Sequence, residues 1–378
     1  MPRSEPTAAY VHVPFCAHRC GYCNFTLVAG RDDLFEAYLD AVKSEMQRLE
    51  TPRPVKTLFL GGGTPTHLPP PLLDRLLQSV RRWFPLLSDY EFSVEANPID
   101  VDADRVAVLA AHDVNRVSLG SQSFDQDKLR LLERDHRPAD IARAVELLRP
   151  RIDAVSLDLI FGVPGETMAT WEADLNAALA LSPDHFSTYG LTFEKGTNFW
   201  SRHERGELLG LGEELERAMY AEAIDRLTAA GFEHYEVSNF ARPGRRCRHN
   251  ETYWAADEYF AVGPGAARYV DGRREVNHRS TTTYIQRMLA GQSPVAESET
   301  LEPEDRAREA LVVGLRRITG VHRGEFSART GFEIDDLIGG VLHQFVELGL
   351  LSDDGQQVRL TREGLFVSDA IWTRFLRK

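Results

Sequence analysis

Through the first two hundred residues, short apolar or alternating runs take turns with longer stretches in which apolar positions recur every three to four residues. The runs AAYVHV (8–13), TLFLGG (57–62), EFSVEA (91–96), RVSLGS (116–121), AVSLDLIFG (154–162) and HFSTYGLTF (185–193) have the β-branched and aromatic content of strands. Between them, DLFEAYLDAVKSEMQRL, PLLDRLLQSVRRWF and TWEADLNAALALS carry apolar stripes of helical period. Six strand-then-helix units predict an α/β protein with a parallel sheet and right-handed crossovers.

An open doubly wound sheet and a partial barrel both satisfy that order. The polar residues favour the barrel. Gly61 to Thr64, Glu95, Gln122 and Asp158 fall at or near the C-terminal ends of different strands, where barrel enzymes assemble their sites. A doubly wound sheet would gather them at one switch point. The expectation is a partial six-unit (β/α) barrel over residues 1–200.

Beyond residue 200 the rhythm changes. A helix near 212–230 leads into the turn-rich, aromatic and basic HYEVSNFARPGRRCRHNETYW and then YFAVGPGAARYV, which reads as a barrel extension and connecting region over 201–300. Residues 301–378 give a helix (302–316), a helical segment (322–347), a hairpin at LSDDGQQVRLT and a last helix, the order of a winged-helix module. Such modules often bind DNA, but this one holds 13 acidic and 11 basic side chains in a chain of net charge −13. That balance leaves no electrostatic footprint for nucleic acid, and a structural or substrate-covering role is expected.

The length of 378 residues suits one large domain with a smaller one, and the 43% apolar content is ample for a core. The N-terminal MPRSEPTAAY lacks the apolar run of a signal peptide, and no uncharged apolar segment is long enough to span a bilayer, so a cytoplasmic protein is expected. Four cysteines in such a chain do not read as a disulfide framework.

Three of the four, Cys16, Cys20 and Cys23, crowd into YVHVPFCAHRCGYCNF directly after the first strand. Zinc usually recruits four ligands and favours paired C-x2-C knuckles, whereas three thiolates can hold three irons of a [4Fe–4S] cluster. The fourth iron is then open to a bidentate small molecule, a requirement that the amino and carboxylate groups of S-adenosylmethionine (SAM) meet.

The spacing C-x3-C-x2-C after a first strand, with Tyr22 before the last cysteine, resembles the signature of the radical SAM superfamily. LFLGGGTPTHL, VEANP, NRVSLGSQSFD, LERDHRP, SLDLIFGVPGET, STYGLTFEKGT and HNETYW together resemble the group that contains oxygen-independent coproporphyrinogen III oxidase and the HemW-type heme chaperones. The resemblance spans nearly the whole chain. It implies a six-unit partial barrel and one-electron cleavage of SAM to a 5′-deoxyadenosyl radical.

It also implies residue roles. Gly62, Gly63 and Thr64 would receive the amino-acid end of SAM, Glu95 its ribose hydroxyls, and Gln122, Arg134 and Asp158 would line the same ligand, with Arg134 suited to a carboxylate. Tyr10 and Tyr22 would flank cluster and SAM, and Thr192 would lie near the adenine. The plainer alternatives are a tight strand-to-helix turn for the glycines and ordinary ion-pair partners for Glu95 and Arg134. Cys247, between arginines in RRCRHN, could be a low-pKa thiol or a heme ligand, or a passive cysteine. His249, which opens HNETYW, is a candidate heme contact or a structural hydrogen-bonding histidine. His12 and His18 flank the cysteine loop without an assigned role.

Within the group, the oxidase pattern has a further cysteine two places after the third, where this chain has Phe25, and an N-terminal extension absent from this sequence. Both departures favour the chaperone branch, with heme as cargo, acceptor hemoproteins of respiration as partners, and a small reduced electron donor such as flavodoxin. A third departure cuts across this: relatives usually carry a histidine where GPGAARY has Ala267. The competing readings are a radical SAM enzyme performing methyl transfer or C–H functionalisation on another substrate and, last, coproporphyrinogen oxidation itself.

Overall fold

The computed structural model describes residues 5–377; the first four residues of the N-terminal segment read above, and Lys378, lie outside it. Six parallel strands follow one another in space in chain order: β1 (Ala8–Val13), β2 (Val55–Gly62), β3 (Leu86–Ala96), β4 (Arg116–Gln122), β5 (Ala154–Phe161) and β6 (His185–Gly190). The chain then adds a hairpin, β7 (Glu233–Glu236) and β8 (Asn239–Ala241), with β8 antiparallel to β6. A last short strand, β9 (Phe260–Val262), pairs in parallel with β1. Among the described residues the sheet does not close, since β9 and β7 are its two edges. The expected partial barrel is therefore the observed one.

Period-two alternation sorts each strand into two faces. Val11, Leu58, Leu60, Val94, Leu119, Leu157 and Phe186 belong to the outer face, buried against crossover helices such as Phe35–Gln47, Pro70–Trp83 and Pro138–Leu148. The opposite parity carries Tyr10, Glu91, Glu95, Arg116, Ser118, Ser156, Asp158, His185 and Ser187. A barrel interior is ordinarily filled by branched aliphatic side chains. Here it is polar, so every group in it needs a hydrogen-bond partner or a ligand.

The C-terminal residues form the helices Pro303–Gly314, Arg323–Thr330, Ile334–Glu347 and Ser368–Phe375 around a small sheet of Val321–His322, Leu351–Asp353 and Gln357–Leu360. The single helical segment expected over 322–347 is two helices, because Gly331 at φ 80° ends the first in the left-handed conformation open to glycine. The sequence pattern also did not disclose a three-stranded antiparallel sheet of Ala267–Val270, Arg273–Asn277 and Val295–Thr300. No helix among the described residues is long and apolar enough to cross a membrane.

Candidate functional site at the barrel mouth

At the C-terminal ends of the strands lies a cavity of about 350 Å³. Its walls contain Cys16, Cys20, Cys23, Tyr22, Gly62, Gly63, Thr64, Glu95, Gln122, Arg134, Asp158 and Thr192. Those residues come from seven separate stretches of chain, and the parallel register brings them together because they lie in the C-terminal halves of the six strands or in the segments that follow them. Tyr10 is not among them: it lies deeper in the barrel, its hydroxyl 3.0 Å from His12 Nδ1 and its ring stacked on Phe59.

The cysteine loop is held from several sides. His12 Nε2 donates to the Thr26 carbonyl at 2.6 Å, Arg279 donates to the Asn24 carbonyl at 2.9 Å, and His18 reaches the backbone carbonyl of Glu133. These contacts give His12 and His18 a structural part that their sequence positions alone did not specify. All three thiols are free of disulfides, and Cys16 Sγ lies 3.5 Å from Thr64 Oγ1. Burial pushes the Cys16 thiol up to about 12 and raises that of Cys23, so ionising them requires a metal's charge. No group of three or more His, Cys, Asp or Glu side chains among the described residues converges closely enough for a single metal ion. Three free thiols in one loop at the cavity wall fit a cluster, which takes one thiolate at each of three separate irons.

The glycines have a first duty within the protein itself. A Cβ on Gly62, at φ 107°, would stand 2.2 Å from the His12 ring, and one on Gly63 would stand 2.6 Å from the Phe15 carbonyl oxygen. Their exposed backbone also lines the mouth. The Gly62 N–H donates to Glu95 at 2.9 Å, which leaves that carboxylate further acceptor capacity. Burial nevertheless pushes Glu95 up to about 7, against the help of the Gly62 hydrogen bond. Asp158 is raised by burial too, opposed first by the hydroxyls of Ser187 and Ser118; Ser118 donates to it at 3.0 Å.

Arg134 is half-buried, and its partners lie in the cavity wall, not on the surface. Its guanidinium donates to Asn97 Oδ1 at 2.8 Å, to the Gly120 carbonyl at 3.0 Å and to Cys20 Sγ at 3.5 Å, while its Nε has no partner. Gln122 adopts φ 62° where the β4–β5 register shifts, an uncommon conformation for a residue with a side chain. Its amide and the Thr192 hydroxyl make no side-chain hydrogen bond among the described residues, although both line the cavity. An orphaned donor, a part-used carboxylate and unpartnered amide and hydroxyl groups around three free thiols fit a cluster with an amino acid and nucleoside beside it. Cys16, Cys20 and Cys23 would hold the cluster, which supplies the electron for SAM cleavage.

Sequence reasoning missed Asn97, which holds both Arg134 and Asp135, the latter at 3.0 Å, and Tyr189, a half-open ring on the mouth wall. Asn97 had a signal, its place directly after β3 and before a proline.

Cys247 and His249 are not at the mouth. The helix Arg248–Trp254 crosses beneath the opposite end of the barrel, beside the starts of β2, β3 and β4. The arginines flanking Cys247 do not activate it; burial first, and then Glu91, push its thiol up to about 12. His249 is buried and both its ring nitrogens are engaged, Nδ1 with Thr57 Oγ1 at 3.1 Å and Nε2 with the Tyr253 hydroxyl at 2.8 Å. In this conformation it has no nitrogen free for iron. Ala267 opens the Ala267–Val270 strand, half-buried.

Residues 10–178 match the Radical SAM superfamily, and residues 301–367 match the HemN C-terminal domain. The chain is 36% identical over 374 residues to the heme chaperone HemW of Bacillus subtilis, covering 98% of this chain and 99% of that protein. It is 34% identical to the heme chaperone HemW of Escherichia coli over the full length of both. Its fold is similar to the solved structure of coproporphyrinogen III oxidase (HemN) from Escherichia coli, a radical SAM enzyme. The TM-score is 0.87 with 23% identity, covering 98% of this chain and 90% of that one.

Proposed function

Since the chain belongs to the HemW family of radical SAM proteins, we propose that it is a heme chaperone that binds heme and hands it to acceptor hemoproteins of respiration in the cytoplasm. The observation that carries this reading is likeness over the full length to proteins of that name, together with Phe25 in place of a fourth cysteine in the loop. Phe25 is 59% exposed on the cavity rim, so a thiol there would face the mouth, and its absence removes a feature of the oxidase pattern. In this reading Cys16, Cys20 and Cys23 hold a [4Fe–4S] cluster, SAM exchanges at the open iron, and a small reduced carrier such as flavodoxin supplies the electron.

The test is a heme titration of the anaerobically reconstituted protein, followed by addition of a heme-free acceptor. One saturable site per chain and transfer to the acceptor are expected. The absence of a saturable site would overturn the reading.

The fully furnished mouth favours a second reading, a radical SAM enzyme acting on another substrate by methyl transfer or C–H functionalisation. Substrate-dependent formation of 5′-deoxyadenosine or S-adenosylhomocysteine would establish it. Coproporphyrinogen oxidation ranks last because of Phe25.

A further inference from the structure

Behind the mouth wall, between the turn that ends β4 and the helix Met168–Ala180 that follows β5, lies a buried ionic cluster. Lys128 Nζ donates to Asp174 Oδ2 at 2.9 Å and to Glu166 Oε1, and it stands 5.1 Å over the Trp171 ring. None of the three charged side chains is more than 4% exposed, and none lines the mouth cavity. Taking a cation and two carboxylates out of water is expensive, and apolar residues of similar volume often stabilise a core as well. Such a cluster is better explained by the geometry it fixes than by stability.

The geometry it fixes belongs to two cavity residues. Asp174 accepts the Ser123 hydroxyl at 2.7 Å and the backbone N–H of Phe124 at 2.6 Å. Ser123 and Phe124 directly follow Gln122, and the Ser123 N–H closes a tight turn onto the Ser121 carbonyl at 2.7 Å. Lys128 sits in the short helix Gln126–Leu131, which delivers Arg134 to the mouth: the Leu132 N–H donates to the Lys128 carbonyl and the Arg134 N–H to that of Leu129, each at 2.9 Å. Glu166 anchors the cluster to the loop after β5, where it accepts the Val163 N–H at 3.0 Å.

The two segments are also joined to each other. Arg134 donates to the Gly120 carbonyl, and His136 Nε2 donates to that of Ser121 at 2.9 Å. Gln122 between them holds φ 62°, a left-handed backbone that a residue with a side chain keeps only where its surroundings over-determine it. Asp174 supplies that constraint on its C-terminal side, and Lys128 ties Asp174 to the helix that carries Arg134.

We propose that Lys128, Glu166 and Asp174 are positioning residues of the mouth: their cluster locks the Gln122 turn and the Arg134 segment into one unit, so that the Gln122 amide and the Arg134 guanidinium are set in place before SAM arrives. The assignment rests on SAM as the ligand of the mouth. None of the three touches that ligand. They act through Gln122 and Arg134, by removing the cost of ordering those groups when SAM binds.

The test compares wild type with the double variant Lys128→Met/Glu166→Gln. It removes one cation and one carboxylate together, so the net charge is unchanged, and Asp174 keeps Ser123 and Phe124. Equilibrium dialysis of radiolabelled SAM against the anaerobically reconstituted full chain gives Kd, and amide hydrogen exchange of the same chain before SAM is added reads local order. In the variant, Kd is expected to rise by about tenfold and exchange over residues 121–134 to quicken by about tenfold, with iron content and exchange in β1 and β2 unchanged. A merely structural role would instead speed exchange across the whole barrel. That result, or wild-type Kd and exchange in the variant, would overturn the positioning assignment. If the double variant does not fold, Ser123→Ala takes its place, since it removes a single hydroxyl. A rise in Kd of about threefold with quickened exchange confined to 121–134 is then expected, and wild-type values overturn the assignment. If reconstituted wild type binds no SAM, the SAM reading of the mouth falls, while the exchange data still decide whether the cluster locks the two segments together.

Discussion

The two ends of the barrel interior are built from the same strands and are equally polar, yet they treat their polar groups in opposite ways. At the base, Glu91 accepts from the backbone N–H groups of Arg248 and His249 at 3.0 Å each, and the Cys247 thiol points at it from 3.7 Å. His185 is held by Ser156 and by the Tyr235 hydroxyl, both at 2.8 Å, and Arg116 donates to the Arg245 carbonyl at 3.2 Å. The Arg248–Trp254 helix thus closes the base by matching most of its donors and acceptors, Ser93 Oγ and Trp254 Nε1 being left without a partner among the described residues. At the mouth, Arg134 keeps an orphaned Nε, the Gln122 amide and Thr192 hydroxyl make no side-chain hydrogen bond among the described residues, and Glu95 is forced toward its neutral form. A buried polar group left unmatched costs stability unless a ligand completes it, so the base serves the fold and the mouth serves a ligand.

The sharpest way to break this contrast is to exchange thiols at the two ends. Replacing Cys16, Cys20 and Cys23 together by serine should abolish cluster incorporation, measured as iron and sulfide per chain, while the stability of the metal-free protein shifts by less than about 1 kcal/mol. Retained iron would remove the cluster assignment. Next in size, Glu91→Ala should cost about 2–4 kcal/mol in urea unfolding, because it leaves the backbone N–H groups of Arg248 and His249 without their acceptor in a buried layer. A cost under about 1 kcal/mol would mean that the base is not held together as described.

A pH series separates the ends more finely. Glu95 titrates at about 7 in the folded protein against an ordinary value of 4.5, so the folded state holds that proton more tightly than the unfolded chain does. Stability of the metal-free protein should therefore fall as pH rises from about 4.5 through about 7, by at most about 3 kcal/mol from this group. Glu95→Gln should remove that part of the slope, and superimposable wild-type and variant profiles would refute it. The smallest effect is expected of Cys247→Ser. It should lower stability by about 1 kcal/mol and leave the iron content untouched. A loss of iron would place Cys247 in the mouth's chemistry, contrary to its position.

Much of this protein is legible along the chain. Apolar and polar residues alternate on each strand because each strand has one face under helices and one inside the barrel, so the six units and their order could be read directly. The three-cysteine loop and the polar residues at the strand ends were equally visible, because a parallel barrel delivers every such end to one mouth. Only the tertiary structure decided the fate of residues beyond the barrel. Cys247 and His249 carry the chemistry of reactive groups, but the fold buries them under Glu91, Thr57 and Tyr253, contacts made across more than 150 residues for the first two. Periodicity is a local property written in adjacent residues, whereas the matching of a buried donor to its acceptor depends on chain crossings that no single stretch of sequence contains.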